Sequence, residues 1–284
     1  MTRRLLSFGH GYSARALTTL LRAAGGWNVI GTTRSADKAQ ALEDAGVQPL
    51  IWPGADMRPA LEAATHLLIS TGPGEGGDPV LAALGDDIAR IAPRLEWCGY
   101  LSTTGVYGDH QGGWVDEATP LSPGTRRGHL RKEAEAAWQA IPDLPLHIFR
   151  LAGIYGPGRG PFSKVRAGTA RRIIKPDQVF SRIHVEDIAQ VLAASIRQPD
   201  PGAIYNVCDD DPAPPQDVIG FAAELLGLPL PEAVPFDEAD MSPMARSFYV
   251  ESKRVTNDRI KRDLGVTLRY PGYREGLRAM AAGS

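Results

Sequence analysis

Short apolar runs alternate with amphipathic patterns of helical period through the first half of the chain. Six runs have the length and composition of buried strands, namely RLLSF, WNVIGTT, VQPLIW, THLLIST, EWCGYLST and LPLHIFRLA. The segments between them predict helices over residues 12–24, 35–45, 57–64, 78–91 and 126–140. Alternating strands and helices are typical of βαβ units and a parallel sheet. The pattern therefore predicts an α/β protein with a doubly wound parallel sheet.

The second half of the chain is less regular. The segment IYGPGRGPF is rich in turn residues, and residues 180–198 predict a short strand that leads into an amphipathic helix. A further strand is predicted at 202–209 and a helix at 214–227. Prolines and acids make 229–247 a predicted loop over a site or a partner surface, and helical patterns over 252–264 and 272–282 complete the chain.

A glycine pattern joins the first predicted strand to the first predicted helix. Gly9 suits a tight turn, Gly11 leaves the backbone open to a phosphate, and Ala14 permits close packing of helix on strand. The first helical turn adds N–H groups and the positive end of the helix dipole. An ordinary βα turn is the alternative, but the preceding apolar run favours a Rossmann dinucleotide site. The predicted loop contacts are Gly9, His10, Gly11, Tyr12, Ser13 and Ala14.

The end of the second predicted strand indicates which dinucleotide binds. NAD-binding Rossmann domains usually place an acid there to hold the ribose 2′-hydroxyl. This chain has Thr33, Arg34 and Ser35 instead, which offer a guanidinium and hydroxyls to a 2′-phosphate. We therefore expect NADP(H) rather than NAD(H), the alternative being that Arg34 is a solvated residue before a Ser35 N-cap. Gly72 follows the fourth strand and is expected beside the adenosine ribose and pyrophosphate, unless it belongs to a plain turn.

Composition narrows the class of protein. The 284 residues are 43% hydrophobic and 23% charged, with a formal net charge of -2, so charge gives no case for a nucleic-acid or membrane partner. The two cysteines form no C-x-x-C motif, and the six histidines show no metal-ligand spacing. We expect a cytoplasmic protein with a small-molecule substrate and no metal. A homodimer is the commonest default assembly.

Four stretches occur in the order found in one superfamily: FGHGYSARAL, YLSTTGVYGD, FRLAGIYGPGRGP, and SRIHVEDIA followed by YNVCDD. With them the chain resembles the short-chain dehydrogenase/reductase superfamily, in its extended or atypical NAD-dependent epimerase/dehydratase-like group. The resemblance implies an NADP-binding Rossmann domain over 1–154, to which 180–208 return. It also implies a smaller, discontinuous substrate-side domain within 155–284.

The resemblance also implies a catalytic set of a Tyr and a Lys in Y-x-x-x-K, aided by a Ser or Thr. A cation must lower the pKa of the Tyr phenol before it can exchange a proton at neutral pH. The hydroxyl position falls on Thr103, with Ser102 and Thr104 as alternatives. Arg127 stands at the Tyr position and Arg131 at the Lys position. An arginine cannot serve as a general base.

Several substitutes for the missing pair are open. A shift of one residue brings Lys132 into place but supplies only Gly128 or His129 near the Tyr position. Tyr107 and Tyr155 follow strands and are candidate acids, although each also suits a packing role. One literal Y-x-x-x-K, Tyr249–Lys253, lies in the C-terminal region and is interpreted as a chance match.

The sequence as a whole predicts an NADP-dependent oxidoreductase or epimerase/dehydratase-like enzyme on a small, anionic or nucleotide-sugar substrate. The predicted catalytic residues are Thr103, Tyr107 and Arg131, the last also holding the cofactor. The predicted substrate contacts are Arg127, Tyr155 and Arg182. Because the Tyr/Lys pair is missing, a non-catalytic NADP(H)-binding sensor or regulator is the rival interpretation.

Overall fold

The computed structural model describes residues 3–283. Its strands are β1 (Arg3–Phe8), β2 (Trp27–Thr33), β3 (Gln48–Ile51), β4 (His66–Ile69), β5 (Trp97–Thr103), β6 (Trp114–Val115), β7 (Leu146–Leu151), β8 (Gly153–Tyr155), β9 (Arg172–Ile174), β10 (Arg182–His184), β11 (Ile204–Val207), β12 (Ala233–Pro235) and β13 (Arg254–Val255). Its α-helices are α1 (Tyr12–Ala24), α2 (Ala36–Asp44), α3 (Arg58–Ala63), α4 (Pro79–Ile91), α5 (Arg126–Gln139), α6 (Phe162–Arg166), α7 (Val185–Arg197), α8 (Pro215–Leu225), α9 (Pro243–Ser247), α10 (Asp258–Leu264) and α11 (Tyr273–Ala282). Two 3₁₀ turns cover Ala92–Arg94 and Thr104–Tyr107.

Seven parallel strands form the central sheet in the order β11-β7-β5-β4-β1-β2-β3. The order reverses between β1 and β4, and in such sheets ligands bind beyond the carboxyl ends of the strands at that point. The predicted Rossmann-type α/β fold is confirmed. The glycine loop between β1 and α1 lies at this switch point.

Two apolar cores sandwich the sheet. On one face α1 packs against α7, and Leu5, Leu17 and Ile188 belong to the same buried cluster. On the other face the cluster includes Leu61 of α3 and Ile88 of α4. Helices on both faces explain why the strands read as continuous apolar runs rather than as alternating ones.

A smaller region covers the carboxyl edge of the sheet. Its own core joins Phe162 of α6, Val218 of α8 and Leu277 of α11 to Tyr155. Short parallel pairs β8–β10, β9–β12 and β6–β13 connect its segments. The chain returns to the main sheet at β11, which pairs with β7.

Two segments differ from the sequence pattern. The predicted helix over 252–264 begins only at Asp258, because Arg254–Val255 pair with β6 and the Asn257 side chain donates to the carbonyl oxygen of Cys208 at 2.9 Å. The predicted loop over 229–247 contains β12 and α9. In both places long-range contacts outweigh the local helical or loop preference.

Among the helices of residues 3–283, none is long and apolar enough to cross a bilayer.

Candidate functional site

One cleft of about 960 Å³ opens where the carboxyl ends of the strands face the smaller region. The glycine loop, the end of β5 and the start of α5 form one side. Residues 151–155, the turn before α6, residues 179–182, the segment 247–255 and α11 form the other. The cleft thus joins the predicted dinucleotide loop to the predicted substrate residues.

The glycine loop has the backbone geometry of an anion cradle. Gly9 has a φ of 72°, and a Cβ built on it would lie 2.9 Å from Thr71 Cγ2. A Cβ on Gly11 would meet within 4 Å only the Gly9 carbonyl oxygen, at 3.6 Å, so the space above it is open. Helix α1 begins directly afterwards, with no side-chain cap and no acidic residue in its first turn. Its N-terminal N–H groups and dipole are therefore available to an anion.

His10, between those glycines, points away from the cleft. Its ring packs on Gly31, whose built Cβ would lie 2.7 Å from His10 Cγ, and the residue is 7% exposed. Neither ring nitrogen has a hydrogen-bond partner within the part of the chain that the structure describes. Burial, aided by Arg15, lowers the pKa of His10 to about 4. The imidazole is therefore neutral at physiological pH and supports the loop by packing.

Acidification should destabilise the fold in part through His10. The unfolded chain takes up a proton near pH 6.5, whereas folded His10 does so only near pH 4, so stability falls as pH drops through that window. Between pH 7 and pH 5 the wild type should lose about 2 kcal/mol more than a His10→Asn variant. Urea unfolding at both pH values measures this difference. Equal losses in the wild type and the variant would refute it, and His129→Asn, exposed on α5, is the control.

The end of β2 presents no acidic side chain. Arg34 is exposed, while Thr33 and Ser35 are half-buried. The neighbouring Thr32 Oγ1 accepts the N–H of Gly9 at 2.8 Å, which fixes this strand end against the glycine loop. The three predicted adenosine-side residues therefore lie at the carboxyl end of the strand beside that loop.

Arg131 lies in the cleft between the ends of β4 and β5. Its Nη1 donates to the Leu101 carbonyl oxygen at 2.8 Å and to the Tyr100 hydroxyl at 3.2 Å. A Cβ on Gly72 would lie 3.4 Å from its Nη2. Lys132 leaves the other side of the helix and donates to the Leu121 carbonyl oxygen at 2.9 Å. The helix thus presents Arg131, not Lys132, to the cleft.

The three hydroxyls at the end of β5 all line the cleft. Thr103 is half-buried, and its Oγ1 accepts the N–H of Gly105 at 3.2 Å. The Ser102 hydroxyl, by contrast, donates to the Glu135 carboxylate beneath the cleft. Thr103 and Thr104 thus retain hydroxyl protons that no hydrogen bond among the described residues uses.

Tyr107 is not a cleft residue. It is fully buried, donates to Asn206 Oδ1 at 2.6 Å and accepts from Arg150 at 3.0 Å. Burial raises the pKa of Tyr107 to about 12, although Arg150 opposes this. This placement argues against the catalytic role expected from the sequence, because the hydroxyl is held inside the fold.

The predicted substrate residues all line the cleft. They differ in how firmly contacts with the rest of the chain hold their side chains. The Tyr155 hydroxyl donates to the Gly272 carbonyl oxygen at 3.2 Å, and burial raises the pKa of Tyr155 far above its usual value. Arg182 Nη1 donates to the carbonyl oxygens of Phe180, at 2.8 Å, and Ala213, at 3.0 Å. Arg127 is exposed and lies 5.6 Å over the Phe248 ring.

Sequence reasoning missed four charged residues of this cleft, namely Arg126, Arg159, Glu251 and Lys253. Arg159 extends over the Tyr12 ring at 5.8 Å, while the Tyr12 hydroxyl donates to the Pro157 carbonyl oxygen at 2.9 Å. Glu251 and Lys253 form an ion pair of 2.8 Å in which each side chain is only 10% exposed. The literal Y-x-x-x-K was the one signal that pointed to Lys253, but Tyr249 itself packs between Phe180 and Phe236.

Comparisons with known proteins identify relatives of this chain by sequence and by fold. No protein-family model matches the chain. Protein YeeZ of Escherichia coli strain K12 is 30% identical over 286 residues, which cover 95% of this chain and 97% of YeeZ. A functionally unknown conserved protein from Silicibacter pomeroyi is 66% identical with a TM-score of 0.96, covering 100% of this chain and 99% of that one. A human epimerase family protein solved with NADPH has a TM-score of 0.75 at 18% identity, covering 99% and 100%.

Proposed function

Because the chain belongs to the family of the Escherichia coli protein YeeZ and has the fold of the extended short-chain dehydrogenase/reductases, we propose that it is an NADP(H)-dependent oxidoreductase or epimerase-like enzyme acting on a small anionic substrate. One observation carries this proposal. A single cleft combines an uncapped helix N-terminus behind a glycine turn with several cationic side chains. Such a cleft suits a dinucleotide pyrophosphate and a second anionic molecule beside it.

The residues present fit a nicotinamide dinucleotide. The open space over Gly11 and the free first turn of α1 suit the pyrophosphate, and the Arg159 guanidinium lies beside that turn, over the Tyr12 ring. Thr33, Arg34 and Ser35 would hold the adenosine ribose and its 2′-phosphate. Arg131, at the position of the superfamily Lys, would hold the other ribose. When bound, such a cofactor supplies or accepts a hydride.

The proposed preference for NADP(H) over NAD(H) should reverse when Arg34 is replaced by an acidic residue. Arg34→Asp should weaken NADPH binding about tenfold or more, since a charge-assisted hydrogen bond contributes about 1.5–3 kcal/mol, and should spare NADH. Thermal shifts with NADPH and NADH measure this, because a ligand of the folded state raises its apparent stability. The control is Arg171→Asp, an exposed arginine that precedes β9 and does not line the cleft. A larger shift with NADH in the wild type would contradict the NADP(H) assignment.

The substrate side of the cleft favours an anion. Arg127 and Arg182 line it from opposite elements, and Lys253 adds a third cation. Glu251 is the acidic residue that faces them among the described lining residues, and it is already paired with Lys253. A carboxylate or phosphate on the substrate would balance these positive charges and could form a bidentate contact with a guanidinium.

Thr103 and Arg131 are the residues that would act on the substrate and the cofactor. We propose that the Thr103 hydroxyl donates to a substrate oxygen; in support, it lines the cleft and its proton has no acceptor among the described residues. Arg131 is anchored by two contacts to the end of β5, so its guanidinium is held in one place. Pre-ordered donors of this kind stabilise charge that develops during a reaction.

A non-catalytic sensor is the second candidate function. The observation that favours it is the presence of arginines at both positions of the Tyr/Lys pair, since neither can exchange a proton. In that case NADPH would bind and alter the cleft without being consumed. NADPH oxidation in the presence of aldehydes, ketones and nucleotide sugars separates the two, since a sensor shows binding but no turnover.

A further inference from the structure

The cleft lacks the usual acid, and the tyrosines that line it are engaged or shielded. The Tyr12 hydroxyl donates to the Pro157 carbonyl oxygen and that of Tyr155 to the Gly272 carbonyl oxygen. Tyr273 is buried, and burial raises its pKa. The cleft arginines keep their protons. Of the ionisable side chains that line the cleft in residues 3–283, this leaves Glu251 and Lys253.

Lys253 is fixed with one donor to spare. Its Nζ donates to the Gly108 carbonyl oxygen at 2.7 Å and to Glu251 Oε2 at 2.8 Å. An ammonium group has three N–H donors, and these two contacts use two of them. The side chain is 10% exposed and lines the cleft. The third N–H is therefore available to a molecule bound there.

Contacts with two segments position the Lys253 side chain. These segments are the turn after β5 and the loop before α5. Gly108 directly follows the 3₁₀ turn that begins after Thr103. Glu251 Oε1 accepts the N–H of Gly124 at 3.1 Å, immediately before the start of α5. The Glu251–Lys253 pair thus joins the C-terminal segment to the turn after β5 and to the loop that leads to Arg127. These contacts tie the Lys253 side chain to the turn that follows Thr103 along the chain, and both residues line the same cleft.

We infer that Lys253 contacts the substrate oxygen and is the acid and base that replaces the missing tyrosine, an inference that rests on the proposed function. In the reducing direction, hydride from NADPH forms a C–H bond at a carbonyl carbon, and the C=O π pair moves to oxygen. That oxygen takes a proton from the Lys253 ammonium, so one N–H bond breaks and one O–H bond forms. The carbonyl becomes an alcohol and NADPH becomes NADP⁺. The neutral amine regains its proton from water in the open cleft.

Three variants test the role of this side chain. Lys253→Met removes the proton, and Lys253→Arg keeps the charge but cannot release a proton. The double variant Glu251→Gln/Lys253→Met removes both charges, so that the Glu251 carboxylate is not left without a counter-charge in a largely desolvated site. The control is Lys175→Met, because Lys175 also donates to a backbone carbonyl oxygen, that of Tyr249, but does not line the cleft. Circular dichroism and urea unfolding verify that each variant folds.

The first readout needs no turnover. Acetic anhydride labels lysines, and mass spectrometry follows the rate at each one. With NADP⁺ saturating, 4-carboxybenzaldehyde at ten times its Kd fills about nine-tenths of the substrate sites, so acetylation of Lys253 should slow about tenfold while that of Lys175 is unchanged. An unchanged rate at Lys253 would overturn the inference, because the amine would not face the occupied cleft.

The second readout is NADPH oxidation with 9,10-phenanthrenequinone, 4-nitrobenzaldehyde and 4-carboxybenzaldehyde as carbonyl probes. Lys253→Met and Lys253→Arg should both lower kcat about 100-fold or more, with a smaller change of KM in Lys253→Arg and with NADPH affinity retained. Full kcat in both variants would reject Lys253 while the proposed function stands. If the wild type binds NADPH but turns over none of the probes, the catalytic role of Lys253 is rejected in favour of the sensor. Failure of NADPH to bind the wild type would instead remove the proposed function itself.

Discussion

Replacing Gly11 by valine is expected to reduce the affinity for NADPH about 100-fold or more while leaving the fold intact. The new side chain would occupy the space above the first turn of α1, where a pyrophosphate would have to approach the N–H groups. Loss of several charge-assisted hydrogen bonds accounts for about 3 kcal/mol or more of binding free energy. Fluorescence titration with NADPH gives the affinity of the wild type and the variant.

The fold should tolerate Gly11→Val because a Cβ at this position meets only one atom within 4 Å, at 3.6 Å. The matched control is Gly85→Val within α4, where a Cβ meets nothing within 4 Å. Gly85→Val should unfold within about 1 kcal/mol of the wild type, since valine and glycine differ little in helix propensity. Gly11→Val should lose no more than about 2 kcal/mol, the cost of a poor N-cap residue at the start of α1. Unaltered NADPH affinity in Gly11→Val would show that the loop does not hold the dinucleotide.

Replacing Arg150 by methionine is expected to cost about 3–5 kcal/mol of stability. Arg150 forms a two-pronged contact with Glu135, through Nε at 3.2 Å and Nη2 at 2.8 Å, and both side chains are almost inaccessible to water. Removing the guanidinium leaves a carboxylate buried without a counter-charge. It also removes a donor to Tyr107. Urea unfolding at pH 7 measures the loss.

A double replacement separates the unpaired charge from the lost packing. Glu135→Leu/Arg150→Met removes both charges and should be less destabilised than Arg150→Met alone. Arg126→Met breaks an exposed pair with Glu75 and should change stability by less than about 1 kcal/mol. Equal losses in the single and double variants would indicate that the ion pair contributes through side-chain packing only.

This buried pair also connects the fold to the cleft. Glu135 accepts the Ser102 hydroxyl at the end of β5, while Tyr107 joins Arg150 to Asn206 of β11. The network therefore fixes the strand end that carries Thr103. Sequence reasoning assigned Tyr107 a catalytic role, because a Tyr after a strand looks the same in the sequence whether its hydroxyl faces the cleft or the core.

The sequence by itself determined the parts of the molecule that depend on local forces. The bounds predicted for α1 and β2 agree with the structure, since apolar periodicity and flanking glycines fix where a helix or strand begins. The glycine loop is equally local, because Gly9 and Gly11 act through their own backbone. The prediction of a cytoplasmic homodimer stays a prediction.

Only the tertiary structure decided which charged side chains meet. Lys253 is 145 residues from the Gly108 carbonyl that it contacts, and Glu251 is 127 residues from Gly124. Local pattern predicted a helix through Lys253, whereas the chain there is extended because Arg254 and Val255 pair with β6. Long-range pairing and burial set these positions, and they depend on how the whole chain closes over the sheet. The geometry of the glycine loop could therefore be predicted from the sequence, and the position of the proposed acid could not.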